Sequence, residues 1–174
     1  MLQSAGINPK QELRILEIGC GNGQDFISHF RGMSQLKLFG MDIDDYGIQQ
    51  PNFSFVHGDA TNIPFPDGYF DLVVSIGVLE HIEPISRLLE MTREIERVGK
   101  AYSVVVPSIA TRLEPHTMVW RWQLKPWGRK RAVPALNYFS DEAWLQFDGF
   151  RSASIKTFAY LPVLIKNTLI FKRA

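Results

Sequence analysis

Short apolar runs alternate with amphipathic stretches along the chain. The first run, residues 13–18, ends at a glycine-rich loop, and a continuous apolar run of this length flanked by glycines is typical of a buried parallel strand. By the same pattern, further strands are predicted at 36–41, 53–57, 70–76, 102–106, 152–159 and 164–172.

Helices are predicted between several of these runs. Residues 85–98 place apolar side chains on one side and charged ones mostly on the other, and Gly99 ends the pattern. A shorter helix begins near Asp25, and a third is capped by Ser140 and runs through Phe147. About ten residues separate the second and third strands, which leaves no room for a full crossover helix. The prediction is an α/β, Rossmann-like, doubly wound and mostly parallel sheet with a C-terminal antiparallel strand pair.

Composition narrows the class of protein. The chain has 174 residues, of which 45% are hydrophobic and 21% charged, so we expect one domain spanning 1–174 and exclude disordered and collagen-like classes. The lone Cys20 excludes an internal disulfide, and no Cys/His cluster predicts a structural zinc site. With neither a signal peptide nor a spanning helix evident, a reducing cytoplasmic location is expected.

Charge is distributed unevenly behind a net charge of +1. Residues 42–83 hold eight acids and no Lys or Arg, whereas 111–138 hold six bases, one acid and three of the four Trp residues. The first segment therefore suits a cation and the second an anion or an interface. The alternative is that both are solvated faces.

Ligands of such sheets bind beyond the carboxyl ends of the strands. Gly19–Gly23 follow the first strand, and glycines let backbone approach a ligand with φ > 0. Asp42, at the end of the second strand, lies 19 residues after Gly23, a fitting distance for a carboxylate that accepts ribose hydroxyls. The spacing is G-x-G-x-G, unlike the G-x-G-x-x-G of dinucleotide sites, and Asp25 would repel a pyrophosphate. A nucleoside cofactor with a positive centre and no phosphate fits better than a nicotinamide dinucleotide.

Four motifs in this order resemble class I S-adenosylmethionine-dependent methyltransferases, in particular the type 11-like ones. The motifs are Leu16-Glu17-Ile18-Gly19-Cys20-Gly21-Asn22-Gly23, Gly40-Met41-Asp42-Ile43, Gly58-Asp59-Ala60 with Ile63-Pro64-Phe65, and Phe70-Asp71-Leu72-Val73-Val74-Ser75 with Leu79-Glu80-His81-Ile82.

The resemblance implies S-adenosyl-L-methionine as cofactor and a role for each matching residue. The loop and Glu17 would hold the methionine end, Asp42 with Ile43 the ribose side, Asp59 and the Ala60 backbone the adenine. The cofactor-binding residues it implies are Glu17, Gly19, Cys20, Gly21, Asn22, Gly23, Asp42, Ile43, Asp59, Ala60, Ile76 and Val78.

Each of these roles has an alternative. Asp42 could cap the following turn, Asp59 could be an Asx-turn residue, and Cys20 could serve packing alone. Asp71 is interpreted as structural because it precedes its strand's ligand-facing end. The triplet of Asp42, Asp44 and Asp45 resembles a metal cluster, but alternating side-chain directions would split it, so no metal is expected.

The resemblance implies methyl transfer by in-line displacement, for which proximity and alignment supply much of the rate. If the acceptor must lose a proton, His81 and His116 are the candidate bases. The alternative for each is a structural role or one of orienting its neighbours. The acceptor is expected to be a small molecule or a lipid-linked or sugar-linked group, with 111–138 as an acceptor-side lid that could also contact a membrane surface. Nucleic acid is not expected, because the basic run is short and adjoins an acidic domain. The rivals are a non-catalytic binding module and a nicotinamide-dependent oxidoreductase.

Overall fold

A computed structural model describes residues 11–48, 50–113, 115–116, 118, 120, 136–161 and 164–174. Three helices and seven strands are found in these ranges, with single 3-10 turns at Leu79–His81 and Asp148–Phe150. The elements in chain order are β1 (Leu13–Ile18), α1 (Gln24–His29), β2 (Leu36–Asp42), β3 (Phe53–His57), β4 (Leu72–Ile76), α2 (Ile85–Val98), β5 (Tyr102–Pro107), α3 (Asp141–Trp144), β6 (Ser154–Leu161) and β7 (Ile165–Lys172).

The strands form one sheet in the order β3-β2-β1-β4-β5-β7-β6. The first five strands in the chain pair in parallel, and β7 pairs antiparallel with both β5 and β6. The predicted mostly parallel sheet with a C-terminal antiparallel pair is therefore confirmed. Because β1 lies between β2 and β4, the ends of these three strands are neighbours.

Side chains on both faces of the sheet are buried. On one face, Ile15 of β1 and Leu72 and Val74 of β4 pack with Phe26 of α1 and with Phe30, which follows that helix. On the other face, the alternate strand residues pack against the apolar side of α2 and the aromatic residues that follow α3. Burial on two sides explains why the strands read as continuous apolar runs rather than as alternating ones.

The helix predicted to run from the Ser140 cap through Phe147 is shorter than expected. Ser140 does cap it, accepting a hydrogen bond from the Ala143 backbone at 3.2 Å, but the helix ends at Trp144. The next residues turn so that Phe147 and Phe150 join Trp144 in the core, with ring centroids 5.5 and 6.5 Å from that of Trp144. Packing against α2, which a local pattern does not report, ends the helix early.

No described helix could cross a membrane. The longest, α2, has 14 residues and an exposed polar side.

The contact between Gly149 and α2 gives a test of this packing. A Cβ on Gly149 would overlap the carbonyl group of Thr92 and lie 2.8 Å from the Arg93 nitrogen, and backbone atoms cannot rotate away. We expect Gly149→Ala to lower the free energy of unfolding by about 3 kcal/mol, measured by urea denaturation. Gly32→Ala is the control, since Gly32 has open space beside a φ of +84° and should cost only about 1 kcal/mol. Equal losses in the two variants would contradict the packing argument.

Candidate cofactor and active site

A cavity of about 270 Å³ lies at the carboxyl ends of the parallel strands. It is bounded by the loops after β1, β2 and β3, by the turn after β4 and by the first half of α2. Seven of the residues singled out from the sequence line it, namely Gly19, Asp42, Ile43, Asp59, Ala60, Val78 and His81. Seven others lie in or near the same loops but outside the lining, namely Glu17, Cys20, Gly21, Asn22, Gly23, Ile76 and His116.

The glycine loop turns back onto the end of β2. Gly19, Gly21 and Gly23 all have left-handed backbone, with φ of +72°, +52° and +69°. The backbone nitrogens of Gly19 and Cys20 donate to the Met41 carbonyl at 2.8 and 3.2 Å. A Cβ on Gly19 would overlap Val78, whereas one on Gly21 would meet nothing within 4 Å. Glycine is thus required at 19 both for conformation and for space.

Asp42 joins the glycine loop to the turn that follows β2. Its Oδ2 accepts a hydrogen bond from the Gly21 nitrogen at 2.8 Å, and its Oδ1 accepts one from the Asp44 nitrogen at 3.2 Å. The turn-capping interpretation is therefore observed, but it does not use up the carboxylate. Each oxygen has a second lone pair, and the half-buried side chain lines the cavity.

Asp59 also makes a local turn. Its Oδ1 accepts from the backbone and hydroxyl of Thr61 at 3.0 and 2.9 Å, and its Oδ2 accepts from Arg87 Nη2 at 2.6 Å. The Thr61 backbone hydrogen bond and then the Arg87 guanidinium hold the pKa of Asp59 below its usual range. About 40% of each side chain in this ion pair remains exposed. Sequence reasoning missed Arg87, although it is the first base after the acidic segment.

Apolar side chains stand exposed around these acids. Ile43 is 62% exposed and Ile76 is 45% exposed, while Met41 and Met91 close the floor of the cavity. Large exposed aliphatic groups at the end of a sheet offer surface for an apolar or aromatic part of a ligand.

Two titratable groups lie beneath the glycine loop. Burial, with a smaller contribution from Asp25, raises the pKa of Glu17 to about 7. Burial raises the pKa of the Cys20 thiol to about 12, and the nearby Glu17 and Asp42 add to the effect. Cys20 is therefore a thiol at neutral pH, and it packs in the core on the α1 side of the sheet.

Both candidate histidines adjoin the buried side chain of Glu80. The Glu80 carboxylate is 1% exposed, and its Oε1 lies 3.9 Å from His81 Nε2 and 3.8 Å from His116 Nε2. The two imidazole rings meet edge to face with centroids 5.0 Å apart. Residues distant in the sequence are thus brought together beside the cavity. Glu80 belongs to the fourth motif, but nothing in the local sequence indicates that its side chain is buried.

The described ends of the 111–138 segment return to this same turn. Leu113 pairs with Trp120 in an isolated antiparallel bridge, with His116 between them. At the other end, the Asn137 amide donates to the Ile82 carbonyl at 2.7 Å and its backbone nitrogen donates to the Glu80 carbonyl at 2.7 Å. The basic and aromatic residues predicted to form a lid between them, Arg121, Trp122, Lys125, Trp127, Arg129, Lys130 and Arg131, lie outside the described residues.

The interpretation of Asp71 as a structural residue fits its place in the fold. Asp71 lies at the opposite edge of the sheet from the cavity, where Oδ2 accepts from the Arg14 nitrogen at 2.8 Å and Oδ1 from Lys100 at 2.7 Å. The carboxylate ties the start of β1 to the residues before β5.

The chain is similar in sequence to known methyltransferases. The chain is 33% identical over 104 residues to a phthiotriol/phenolphthiotriol dimycocerosates methyltransferase of Mycobacterium leprae, which covers 55% of this chain and 38% of that protein. It is 38% identical over 82 residues to a ubiquinone/menaquinone biosynthesis C-methyltransferase of Cupriavidus pinatubonensis, which covers 46% of this chain and 34% of that protein. The chain thus matches little more than a third of the length of these relatives.

A solved S-adenosylmethionine-dependent methyltransferase from Mesorhizobium loti has the same fold. It superposes with a TM-score of 0.66 at 15% identity, covering 98% of this chain and 95% of that one. The family model of a methyltransferase domain matches residues 16–106, from β1 to β5. The chain belongs to the class I S-adenosylmethionine-dependent methyltransferases, and its cofactor is S-adenosylmethionine.

Proposed function

We propose that this methyltransferase acts on a small-molecule, lipid-linked or sugar-linked acceptor, which enters beside His81 and the 111–138 segment. The observation that carries the placement of the cofactor is the cavity at the strand ends, because it combines the Asp42 and Asp59 carboxylates, Gly19 of the glycine loop and apolar walls. These groups fit the ribose hydroxyls, the methionine end and the adenine ring of S-adenosylmethionine.

Each part of the cofactor has matching residues. We assign the methionine end to Glu17 and the loop of Gly19, Cys20, Gly21, Asn22 and Gly23. Asp42 would accept the ribose hydroxyls with Ile43 beside it, and Asp59 and Ala60 would hold the adenine. Ile76 and Val78 would line the region of the sulfonium. When bound, the cofactor supplies an electrophilic methyl group on a positively charged sulfur.

Electrostatics supports a cationic ligand at this edge. Glu17, Asp25 and Asp42 lie close to the loop. Among the described residues that line the cavity, Arg87 is the only Arg or Lys, and it is paired with Asp59. A pyrophosphate placed here would meet like charges. An oxygen or nitrogen acceptor would instead lie toward His81, where either His81 or His116 could accept a proton with the Glu80 carboxylate beside it.

The acceptor class rests on three observations. The cavity is walled mainly by aliphatic groups, the neighbouring segment combines Trp with Lys and Arg, and the matched relatives are named for dimycocerosates and for ubiquinone/menaquinone biosynthesis. Amphipathic rings with basic side chains also suit a lipid surface.

The acceptor class is tested with methyl-labelled cofactor and cell extract divided into organic-soluble, small water-soluble and nucleic-acid fractions. We expect label in one of the first two fractions. Deleting residues 117–133 should abolish this labelling while leaving cofactor affinity unchanged, because the strand-end residues are retained. Label confined to the nucleic-acid fraction, or full labelling by the deletion variant, would contradict the proposal.

Asp42 gives the most direct test of cofactor placement. Asp42→Ala should weaken S-adenosylmethionine binding by about 1 to 3 kcal/mol, because the ribose hydroxyls lose their acceptor and the Gly21 nitrogen loses its partner. Isothermal titration calorimetry measures the effect. Asp44→Ala is the matched control, since the Asp44 side chain is exposed and the backbone nitrogen at position 44 still donates to Asp42 Oδ1. Equal affinities of Asp42→Ala and wild type would reject the ribose assignment.

Glu17 should make cofactor binding depend on pH. Its pKa in the free protein is about 7, and a cationic methionine end would favour the ionised form, so binding releases a proton as Glu17 ionises. The affinity for S-adenosylmethionine should therefore fall as the pH falls below 7, by about tenfold between pH 7 and pH 5.5.

Glu17→Gln isolates this contribution, because the variant keeps the shape of the side chain but cannot ionise. Its affinity should change much less over the same pH interval, and calorimetry at both pH values measures the difference. Parallel pH profiles for the variant and the wild type would show that Glu17 does not ionise on binding.

A further inference from the structure

We propose that Glu80, His81 and His116 bind a divalent transition-metal ion beside the cofactor cavity. The sequence alone predicts no metal site, because these residues are divided between two distant segments. In the fold, one ligand atom from each of the three lies within 4.8 Å of the others.

Distances between the groups favour metal ligation over a direct hydrogen bond. The Glu80 Oε1 atom lies 3.9 Å from His81 Nε2 and 3.8 Å from His116 Nε2, both beyond hydrogen-bonding range. Two metal–ligand bonds of about 2.1 Å meeting at one ion bring their ligand atoms about 3.4 Å apart at a tetrahedral angle and at most about 4.2 Å apart. Both spans fall within that reach.

The proposed site combines one buried ligand with two partly exposed ones. Glu80 is 1% exposed, whereas the His81 and His116 side chains are 47% and 35% exposed, so the imidazoles can rotate to close on an ion. With the ion bound, His81 and His116 would be ligands and not bases, and open coordination positions would remain for water or an acceptor oxygen.

Backbone contacts hold both ligand-bearing segments. Asn137 donates to the Leu79 and Ile82 carbonyls at 3.3 and 2.7 Å and so fixes the turn that carries Glu80 and His81. On the other side, the Arg112 and Leu113 nitrogens donate to the Leu164 carbonyl at 3.0 and 2.9 Å, which positions the chain leading to His116. The site is therefore built on anchored backbone rather than on two free loops.

The ligand set indicates which ion would bind. Two imidazoles and one carboxylate leave open positions and suit Zn²⁺, Co²⁺ or Fe²⁺, while Mg²⁺ and Ca²⁺ prefer oxygen ligands. His81 also lines the cofactor cavity, so a bound ion would lie on its acceptor side. A role in holding an acceptor oxygen rests on the proposed function, but metal binding itself does not.

The experiment titrates chelator-treated protein with Zn²⁺ and, separately, with Co²⁺, whose visible absorption reports nitrogen ligation. We expect one equivalent to bind the wild type, with affinity at least tenfold lower in His81→Gln and in His116→Gln. His29→Gln is the matched control, since His29 is exposed on α1 and should leave binding unchanged. Thermal unfolding checks that each variant is folded.

Two results would overturn the metal site, namely no binding by the wild type or wild-type affinity in both histidine variants. Cofactor binding without added metal is measured on the same samples. Intact cofactor affinity with no metal binding would reject only the metal site, whereas loss of cofactor binding in the wild type would reject the proposed function.

Discussion

The close approach between the glycine loop and its neighbours is the constraint on which the site depends. The chain leaving β1 must turn at once, place two backbone nitrogens on the Met41 carbonyl and pass beneath Val78. Only left-handed backbone without a Cβ satisfies these demands at Gly19. The same turn brings the Gly21 nitrogen to Asp42, so the carboxylate and the loop form one unit whose shape the sheet imposes.

The electrostatics of the strand ends follows from this geometry. The parallel sheet gathers residues from four separate motifs at one edge, and most of the charged ones are acids. Glu17 and Asp42 lie near enough to Cys20 to raise the pKa of its thiol. Arg87 forms an ion pair with Asp59. An edge that is acidic near the loop and apolar around Ile43 selects a ligand with a positive centre and a flat apolar portion. With the cofactor placed as proposed, this is the physical reason why a sulfonium compound suits the loop better than a dinucleotide does.

Periodicity predicts the parts of the fold whose causes are local. The bounds of β1, β3 and α2 match the predicted ranges. In a buried strand or an amphipathic helix, the buried positions are the apolar ones, so the sequence pattern marks where the element begins and ends. The helix after Ser140 was predicted too long, since its end depends on Gly149 meeting Thr92 of α2. Among the site residues, Asp42 and Asp59 could be found from strand-end position and spacing. Arg87 and Glu80 could not, because an ion pair across the cavity and a buried carboxylate arise from tertiary contacts that no short pattern records.

The same distinction separates the two halves of the site. The cofactor side is made by backbone turns at the ends of the core strands, so its form is fixed by the packing of the sheet. The proposed acceptor side is joined to that core at the turn from Leu79 to Ile82, to which Asn137 attaches by three hydrogen bonds, and at the Leu164 carbonyl, which accepts from the Arg112 and Leu113 nitrogens. Glu80 and His81 belong to this turn, His116 Nε2 lies 3.8 Å from Glu80 Oε1, and among these three residues His81 alone lines the cavity. On the proposed function, acceptor specificity can therefore vary in the 111–138 segment without altering the strand ends, while the turn from Leu79 to Ile82 connects the two sides of the site.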